Sequence, residues 1–395
     1  MEDFNLNELE LNLDDDFNMD DMFELSTIDD SEVIDEPHFK IPTKDFLVML
    51  RKAKTIISSA SRDLVTKAVA MEVVDGKLHM RCTDFDVYMD LSCPLINQVN
   101  LLDKVVVTPI DNLIQLAKAL PSTTTILNDN GNIKIRLIGG SMDLETIEIP
   151  KEKFIMKDEV KEDLGIDAEA MLNILTSFTP MVQASVNPMD KRIVFNKDGA
   201  TSVYMFTLVN APGNFPEFDV KVKDLQVLKV LLNKAKGQLR TYRTIDEKAS
   251  SRFVIEGDTF KYAFLIGNAP INKILVDNFN NKDYTNGGFI EYPKLSKLVE
   301  LSSSLNYTTG KVKLALKDTN TLVIHIPSKN GDNVFTIDFT PNGNVQVATE
   351  VEIASKLFMT ILKSFQKNTV LTLDINEDYI LLSNNDIKGL ILLDA

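Results

Sequence analysis

A repeated pattern of tight turns is the feature that most limits how this 395-residue chain can fold. Turn-forming residues lie between apolar or alternating runs, which is the sequence pattern of a β-hairpin. The pattern occurs six times at intervals of about sixty residues, and such a period indicates one structural unit repeated along the chain. The six turns are Asp75-Gly76, 129–131, Asp198-Gly199, 256–258, 317–320 and 376–378.

An amphipathic helix is predicted ahead of each turn, because apolar residues recur there at helical spacing. In the fourth helix the pattern is carried by Leu225, Leu228, Leu231 and Leu232. The predicted helices are 45–57, 110–120, 168–178, 224–236, 293–303 and 354–365. With its strands, each unit reads β-α-β-β-β.

Two such units make a domain of about 120 residues, a common domain size. The predicted fold class is therefore α+β, with three repeated domains and the helices on one face of antiparallel sheets. The predicted domains are 38–160, 161–285 and 286–395.

The charge of the chain is concentrated in one segment. The formal net charge is −16, which at face value disfavours a nucleic-acid partner. Residues 1–36 contain fifteen Asp and Glu and no Lys or Arg, and the remaining chain carries 43 acidic and 42 basic residues. We predict that segment 1–37 is a disordered acidic tail, and its interleaved apolar residues also fit ordering on a partner. The nearly neutral body is free to have a basic surface.

Composition excludes several protein classes. No run of eighteen apolar residues is present, so no transmembrane helix is expected. The first residues are acidic and do not resemble a secretory signal. The two cysteines, Cys82 and Cys93, cannot stabilise a chain of this length by disulfides, so we expect a cytoplasmic protein.

Basic residues recur on the predicted helices. In the last helix Lys356, Thr360, Lys363 and Lys367 share one side, while the opposite side is apolar. Five of the six helices carry Lys or Arg, and a repeat places corresponding faces on one surface. A shared basic surface predicts contact with a phosphate backbone without sequence readout, although a single basic helix face is usually only solvated. The helix residues are Arg51, Lys52, Lys54, Lys118, Lys229, Lys234, Lys236, Lys294, Lys297, Lys356, Lys363 and Lys367.

Three segments resemble a known family. The stretch 68–87 contains an apolar strand, the Asp75-Gly76 turn and a strand that ends in Thr83-Asp84, and it resembles the first domain of the bacterial DNA polymerase sliding clamp, the β clamp. The stretch 113–121, which ends in Leu120-Pro121, is similar to the second helix of that family, and 357–395 to its last subdomain. The acidic tail lies outside the resemblance, which fits a divergent bacterial or phage member.

The resemblance implies a homodimeric, head-to-tail ring whose helices surround duplex DNA. It implies a processivity factor that holds the replicative polymerase and other partners on DNA in the cytoplasm of a bacterium or of an infected bacterial host. It also implies that Arg62, after the first helix, contacts DNA.

A pocket for short hydrophobic peptides of the polymerase and the clamp loader is implied as well. Its predicted residues are Thr207, Leu208, Leu390, Ile391, Leu392 and Leu393. The second domain of the family has Thr-Asp-Gly-His-Arg-Leu after its hairpin, whereas the region matched here reads Thr207-Leu208-Val209-Asn210-Ala211-Pro212. We therefore expect an altered pocket and partner peptides of a different kind.

An enzymatic function is not expected. The three histidines are scattered, no His or Cys spacing matches a metal site, and no phosphate loop, dinucleotide fingerprint or nucleophile elbow is present. We expect no catalytic residue, metal, cofactor or membrane partner. The alternative to a clamp is a non-enzymatic structural or interaction scaffold that is built on the same repeat. Such a scaffold includes the case of a viral protein.

Overall fold

The structure is a computed structural model, and it describes most of the chain after the acidic tail. Segment 1–37, predicted to be a disordered tail, lies outside the described residues. The described residues are 38–57, 61–99, 106–116, 119–129, 132–156, 159–245, 251–267, 276–277, 279–280, 286–305, 310–327, 331, 333–343, 345, 349–367 and 369–393.

The first three repeats each have the predicted order of one strand, one helix and three strands. A short strand, β5, follows the first repeat. The elements are β1 (His38–Pro42), α1 (Thr43–Lys54), β2 (Ala68–Val74), β3 (Lys77–Thr83), β4 (Val87–Pro94), β5 (Asn97–Val99), β6 (Val106–Pro109), α2 (Ile110–Leu116), β7 (Thr123–Asp129), β8 (Asn132–Leu137), β9 (Gly140–Asp143), β10 (Glu159–Asp167), α3 (Ala168–Ala184), β11 (Arg192–Asn196), β12 (Gly199–Tyr204) and β13 (Thr207–Ala211).

The last three repeats have the same order, with a two-residue strand, β22, added after the fifth. The elements are β14 (Phe218–Lys221), α4 (Val222–Leu232), β15 (Gln238–Ile245), β16 (Ser251–Gly257), β17 (Phe260–Leu265), β18 (Gly287–Glu291), α5 (Tyr292–Leu305), β19 (Lys311–Leu316), β20 (Thr321–Ile326), β21 (Asn333–Asp338), β22 (Thr340–Pro341), β23 (Glu350–Ala354), α6 (Ser355–Leu362), β24 (Val370–Ile375), β25 (Tyr379–Ser383) and β26 (Lys388–Leu392). The predicted α+β class and its sixfold repeat are confirmed.

Five of the six predicted turns lie between the second and third strands of their repeats, whereas 256–258 lies between the third and fourth strands of its repeat, β16 and β17. In the first hairpin Val74 pairs with Lys77, and the two turn residues Asp75 and Gly76 both have positive φ, as a type I′ turn requires. In the third hairpin Asn196 pairs with Gly199, so Gly199 is already the first residue of β12. The Asp-Gly dipeptides therefore located these hairpins to within a residue or two.

The chain forms two compact units. The first comprises the described residues up to Asp84 together with Asp90–Ile155, and the second comprises Phe85–Met89 and the chain from Met156 onward. The first unit holds a sheet in the order β5-β1-β7-β8-β9 and strands in the order β4-β3-β2-β6.

The second unit holds three groups of antiparallel strands. Strands β10-β15-β16-β17 form one group, and β21-β20-β19-β23 form another. The third is a nine-stranded sheet in the order β14-β11-β12-β13-β26-β25-β24-β18-β22, in which repeats three and six pair directly through β13 and β26.

The predicted domain boundaries do not all coincide with these units. The predicted boundary at residue 160 falls within β10, whereas the units separate between Ile155 and Met156. The predicted boundary at residue 285 lies outside the described residues. The second unit contains both later predicted domains, and the division of the body into three domains stays a prediction.

Several helix ends differ from the predicted ones. The third helix extends beyond its predicted end at Phe178, although Pro180 lacks a backbone donor. The helix continues to Ala184, since Met181 and Val182 are buried beyond the proline and the Thr179 hydroxyl donates to the carbonyl of Leu175 at 2.7 Å. Burial of apolar side chains therefore outweighs the proline.

Helix α1 ends at Lys54, before its predicted end at residue 57, and two further helices also end earlier than predicted. Helix α4 ends at Leu232 and α6 at Leu362, whereas the apolar pattern continued to residues 236 and 365. Phe365 is buried, but it lies in the turn after the helix. In these two helices the apolar spacing predicts the buried positions correctly but predicts a helix that is too long. In the described part of the chain, no helix is long and apolar enough to cross a membrane.

An aromatic stack lies in the core of the second unit. The ring of Phe218, on β14, stacks on Phe195 of β11 with centroids 4.4 Å apart and on Phe253 of β16 with centroids 3.8 Å apart. All three side chains are buried. The stack therefore packs the nine-stranded sheet against the strands of the fourth repeat.

Gly199 provides a test of the third hairpin. Its φ of +127° is a conformation that L side chains rarely adopt, and a Cβ at this position would overlap the carbonyl oxygen of Ala211 on β13. We expect Gly199→Ala to lower the free energy of unfolding by about 2 kcal/mol or more, since strain and overpacking each cost about 1–3 kcal/mol.

Thermal unfolding followed by circular dichroism measures this effect. Gly389→Ala, in the neighbouring strand β26, is the matched control, because its added methyl group would make ordinary contacts of 3.5 Å or more. Equal melting temperatures for the two variants would contradict the close approach of β12 and β13.

Candidate nucleic-acid interface and peptide pocket

Four helices of the second unit pack side by side. Helix α3 contacts both α4 and α6, and α6 contacts α5, so their order is α4-α3-α6-α5. The pairing of β13 with β26 causes this arrangement, because it sets the third and sixth repeats next to each other. We call these four helices the helix row. In the first unit α1 contacts α2.

The helix row carries exposed lysines on two neighbouring helices, α5 and α6. Lys297 on α5 and Lys356 on α6 are exposed, and within the described residues neither has an ion-pair partner. Lys294 is exposed on α5 and forms an ion pair with Glu291 at 2.8 Å. Lys363 is the exposed C-cap of α6. These four cations place positive charge on α5 and α6.

Other predicted residues lie beyond the helix ends. Lys234 and Lys236 are exposed in the turn after α4, and Lys234 has a φ of +73°. Lys367 is exposed after α6. Thr360, predicted on the same polar side as these lysines, is buried and donates its hydroxyl to the carbonyl of Lys356.

Lys229 occupies a different environment from the other lysines. Its side chain lies between α4 and α3, where the ammonium donates to the Thr179 hydroxyl at 3.3 Å. Burial lowers the pKa of Lys229 because it removes water from the charged form. Helix α3 has no Lys or Arg of its own, so it adds no positive charge to the row.

The basic residues of the first unit are distributed along α1 and just after it. Arg51 and Arg62 are exposed, and Lys52 is half-buried. Lys54 forms an ion pair with Asp111 on α2, which ties its charge to an acidic side chain. Lys118 lies outside the described residues.

The predicted pocket residues are divided between two faces of the β13–β26 pair. Thr207 lies opposite Ile391, and both are buried. The Thr207 hydroxyl reaches the sulfur of Met181 on α3 at 4.0 Å, so this face is turned toward the helices. Sequence reasoning grouped Thr207 with Leu208, but neighbouring residues of a strand point to opposite faces.

The other face forms an apolar cluster that does bring predicted residues together. Leu208 packs in one group with Val203, and Leu390 in another with Tyr379 and Leu381; the half-buried Leu392 packs against both groups. We call this set the apolar cluster. Leu393 is half-buried at the end of β26.

Two residues far away in the sequence complete this surface. Val276 packs against Leu208 and Val203, and Phe279 packs against both groups of the apolar cluster. The ammonium of Lys388 lies 4.6 Å from the centroid of the Phe279 ring and donates to the Phe279 carbonyl at 3.4 Å. No sequence signal linked 276–279 to the pocket, although strand alternation alone would have selected Leu208, Leu390 and Leu392.

The hairpin of β12 and β13 turns immediately before the region 207–212, which the resemblance matches to the family's pocket. Residues Thr207–Ala211 form β13, and the turn before it consists of Met205 and Phe206. Both side chains are exposed. The segment that turns beside β26 is therefore Tyr204–Thr207, as the pairing of these two end residues shows.

The cysteines and His79 lie in surroundings that explain them as structural residues. Cys82 and Cys93 are buried, and burial raises the pKa of each thiol, so neither is a thiolate at neutral pH. His79 contacts the carboxylate of Asp90 at 2.9 Å within an ionic network that includes Arg81 and Glu72. Among the described residues, no group of three or more His, Cys, Asp or Glu side chains could hold a metal ion.

Comparison with known proteins gives a consistent result at the level of the fold. No family model matches the sequence, and no curated protein matches it. Solved structures do match: the Helicobacter pylori β clamp bound to a DNA ligase peptide has a TM-score of 0.72 at 14% identity and covers 91% of this chain and 100% of its own.

Two further bacterial structures agree with it. The DNA polymerase III β subunit of Thermotoga maritima has a TM-score of 0.70 at 13% identity, covering 91% of this chain and 99% of its own. The β subunit of Pseudomonas aeruginosa has a TM-score of 0.72 at 15% identity, covering 90% and 99%. The resemblance drawn from the sequence is confirmed as a likeness of structure, and this chain has the fold of the bacterial β clamps.

Proposed function

We propose that this protein is a DNA sliding clamp. In this proposal a homodimeric ring encircles duplex DNA without sequence specificity and tethers a replicative polymerase and other partners, in the cytoplasm of a bacterium or of an infected bacterial host. The protein performs no chemistry itself and needs no cofactor. The observation that carries the proposal is the helix row, which presents Lys297, Lys356 and Lys363 as exposed cations on a clamp fold.

The charge arrangement supports backbone binding rather than base reading. The exposed lysines lie on separate helices and in the turns after them, and long flexible lysine side chains follow a phosphate backbone without fixing a register. The half-buried Lys229 on α4 and the absence of Lys and Arg from α3 leave the α4–α3 side of the row with little exposed positive charge. Loose contact of this kind suits a ring that must move along DNA.

The apolar cluster supports the proposed peptide site. Leu208, Leu390 and Leu392 lie on one face of the β13–β26 pair. A clamp of the same fold binds a DNA ligase peptide. We propose that the polymerase and the clamp loader of this system bind here through short hydrophobic peptides.

Two strand edges support a head-to-tail dimer. Strand β9 is at the edge of its sheet in the first unit, and β21 is at the edge of its sheet in the second. Both edges have exposed apolar side chains, Met142 on β9 and Val334 on β21. Exposed edges of this kind pair readily with another strand. We propose that β9 of one protomer pairs with β21 of its partner.

Retention on DNA tests the ring. After long incubation with nicked circular plasmid at high protein concentration, we expect the protein to co-elute with the circle and to be lost when a restriction enzyme linearises it. A ring leaves DNA only over an end, so the difference measures topology. Equal retention on both forms would instead support the non-enzymatic scaffold.

Charge reversal on the helix row tests the DNA surface. We expect Lys363→Glu combined with Lys367→Glu to weaken retention on circular DNA at least tenfold and to reduce the slope of log affinity against log salt by about two, since each lost phosphate contact removes about one. Filter binding across salt concentrations measures both quantities.

The matched control reverses the charge of two lysines outside the helix row. Lys77→Glu combined with Lys317→Glu alters two exposed lysines that border hairpin turns and belong to none of the four helices of the row. Retention of this control at the unaltered level is expected. If both double variants lose affinity equally, net charge and not the helix row determines binding.

Light scattering tests the dimer. We expect the unaltered protein to have twice the 44.3 kDa mass of one chain, and Val334→Asp to yield monomers because an aspartate would be desolvated at the paired edge. Val370→Asp is the control, since Val370 is 57% exposed against 55% for Val334 but lies at the start of β24 within a sheet. A monomeric unaltered protein would exclude the ring.

A further inference from the structure

The exposed side of helix α1 carries positive charge on both sides of an apolar side chain. Lys44, Val48 and Arg51 are exposed, and their spacing of four and three residues places them on one side of the helix. The opposite side is buried through residues such as Phe46 and Leu50. Helix α1 therefore presents a stripe in the order cation, valine, cation, which we call the α1 stripe.

The two cations of the α1 stripe are open to a ligand. Within the described residues neither Lys44 nor Arg51 has an ion-pair partner, whereas Lys54 on the same helix is paired with Asp111. Val48 is 39% exposed between them. A ligand that fits this stripe has to combine negative charge with apolar side chains, because the stripe combines positive charge with an apolar one.

The chain itself contains a segment of this chemistry. Residues 1–36 carry fifteen Asp and Glu and no Lys or Arg, and apolar residues are interleaved with the acids. Asp20, Met22 and Glu24 repeat the order of the α1 stripe with the opposite charge. Residues two positions apart share a face of an extended segment, and five residues from acid to acid cover about 13 Å. The two cations of the α1 stripe are about 10 Å apart along the helix axis, and their long side chains can reach across the difference.

The acidic tail joins the body next to this helix. Strand β1 begins at His38, directly after the tail, and α1 begins at Thr43, directly after β1. A segment of 36 residues can span at most about 120–130 Å, so its reach does not limit which part of it meets α1. Attachment to the same chain raises the effective concentration of a ligand to about the millimolar range. A weak contact between the tail and α1 is therefore favoured within one chain.

We propose that residues 1–36 bind the α1 stripe of their own chain as an internal polyanion, and that they compete there with the phosphate backbone of DNA. Carboxylates of the tail contact Lys44 and Arg51, and an apolar side chain of the tail covers Val48. The competition rests on the proposed function, in which the helices surround the duplex, whereas the tail contact itself does not. A clamp with an internal polyanion engages DNA through this helix only when the tail is displaced.

Carbodiimide cross-linking of the full chain tests the tail contact without DNA. The reagent joins a carboxylate directly to a lysine amine, so it records pairs that touch. We expect links from residues 1–30 to Lys44 to be at least tenfold more abundant than links to Lys77, an exposed lysine beside the first hairpin turn. Mass spectrometry measures both, and an equal mixture of unlabelled and ¹⁵N-labelled chains separates links within a chain from links between chains. Salt at about 1 M shortens the Debye length to about 3 Å and should remove most of the preference.

A matched pair of variants tests whether the whole stripe is involved. Arg51→Gln removes the second cation of the stripe and leaves Lys44 in place, so we expect the Lys44 links to fall at least threefold. Lys153→Gln removes an exposed cation elsewhere in the first unit and should leave the Lys44 links unaltered. Thermal unfolding shows whether both variants are folded at the temperature of cross-linking.

Neutralising the tail tests the competition with DNA. After equal incubation with nicked circular plasmid, we expect at least threefold more of the tail variant than of the unaltered protein on the circle, because the internal competitor is weakened. The control variant loses five exposed carboxylates outside the tail and should be retained like the unaltered protein. The tail variant is Asp14→Asn, Asp15→Asn, Asp16→Asn, Asp20→Asn and Asp21→Asn. The control variant is Asp75→Asn, Glu152→Gln, Asp198→Asn, Asp258→Asn and Glu377→Gln.

The outcomes distinguish the tail contact from the clamp. Equal linking to Lys44 and Lys77, links mainly between chains, or preferred links to Lys388 beside the apolar cluster would each overturn the tail contact. Equal retention of the tail and control variants would overturn the competition with DNA. A protein with Lys44 links but no retention on circular DNA would refute the clamp and leave the tail contact intact. Retention on circles without a preference for Lys44 would do the reverse.

Discussion

The antiparallel pairing of β13 with β26 is the interaction on which both candidate sites depend. It joins residues near 207–210 to residues near 388–391, and so connects repeats that are far apart in the chain. One face of the pair contacts α3 and brings it next to α6, which makes the helix row continuous. The other face holds Leu208, Leu390 and Leu392 in the apolar cluster. A shift of this pairing by one residue would exchange the two faces, so the register determines both surfaces together.

Charge is distributed unevenly along this chain. The net charge of −16 belongs almost entirely to residues 1–36, and the remaining chain is nearly neutral. Within that neutral body the cations are not equivalent: Lys54 is paired with Asp111, Lys229 is half-buried, and Lys356 is exposed. Only exposed cations can meet a phosphate without first breaking an internal contact. The helix row therefore has fewer available charges than a count of lysines suggests.

Much of the fold could be predicted because its signals are local. An Asp-Gly pair such as Asp75-Gly76 favours a turn through its own backbone preferences, and the apolar spacing of α4 follows from the geometry of a helix. Helix ends were less predictable, since burial of Met181 extends α3 past a proline and the buried Phe365 lies outside its helix. These outcomes depend on packing against distant strands, which the local pattern does not contain.

The candidate peptide site shows the same limit at the level of single residues. Strand alternation separates Thr207 from Leu208, so part of the site could have been refined from the sequence. The packing of Phe279 on the apolar cluster could not have been predicted from the sequence. Phe279 and Leu390 are more than a hundred residues apart in the chain, and no local pattern links them. Phe206 is a third case, since its position depends on a turn placed by the β12–β13 pairing and on a hydrogen bond from Leu392.

The two proposed surfaces lie on opposite faces of one sheet region, and this arrangement has a functional consequence. A peptide on the apolar cluster contacts the face of β13 and β26 that is turned away from α3 and α6. Binding there requires no displacement of Lys356 or Lys363 and no change in the helix row. A ring built in this way could hold a partner while its inner helices keep the same loose contact with the phosphate backbone, because the strand pair separates the two tasks physically.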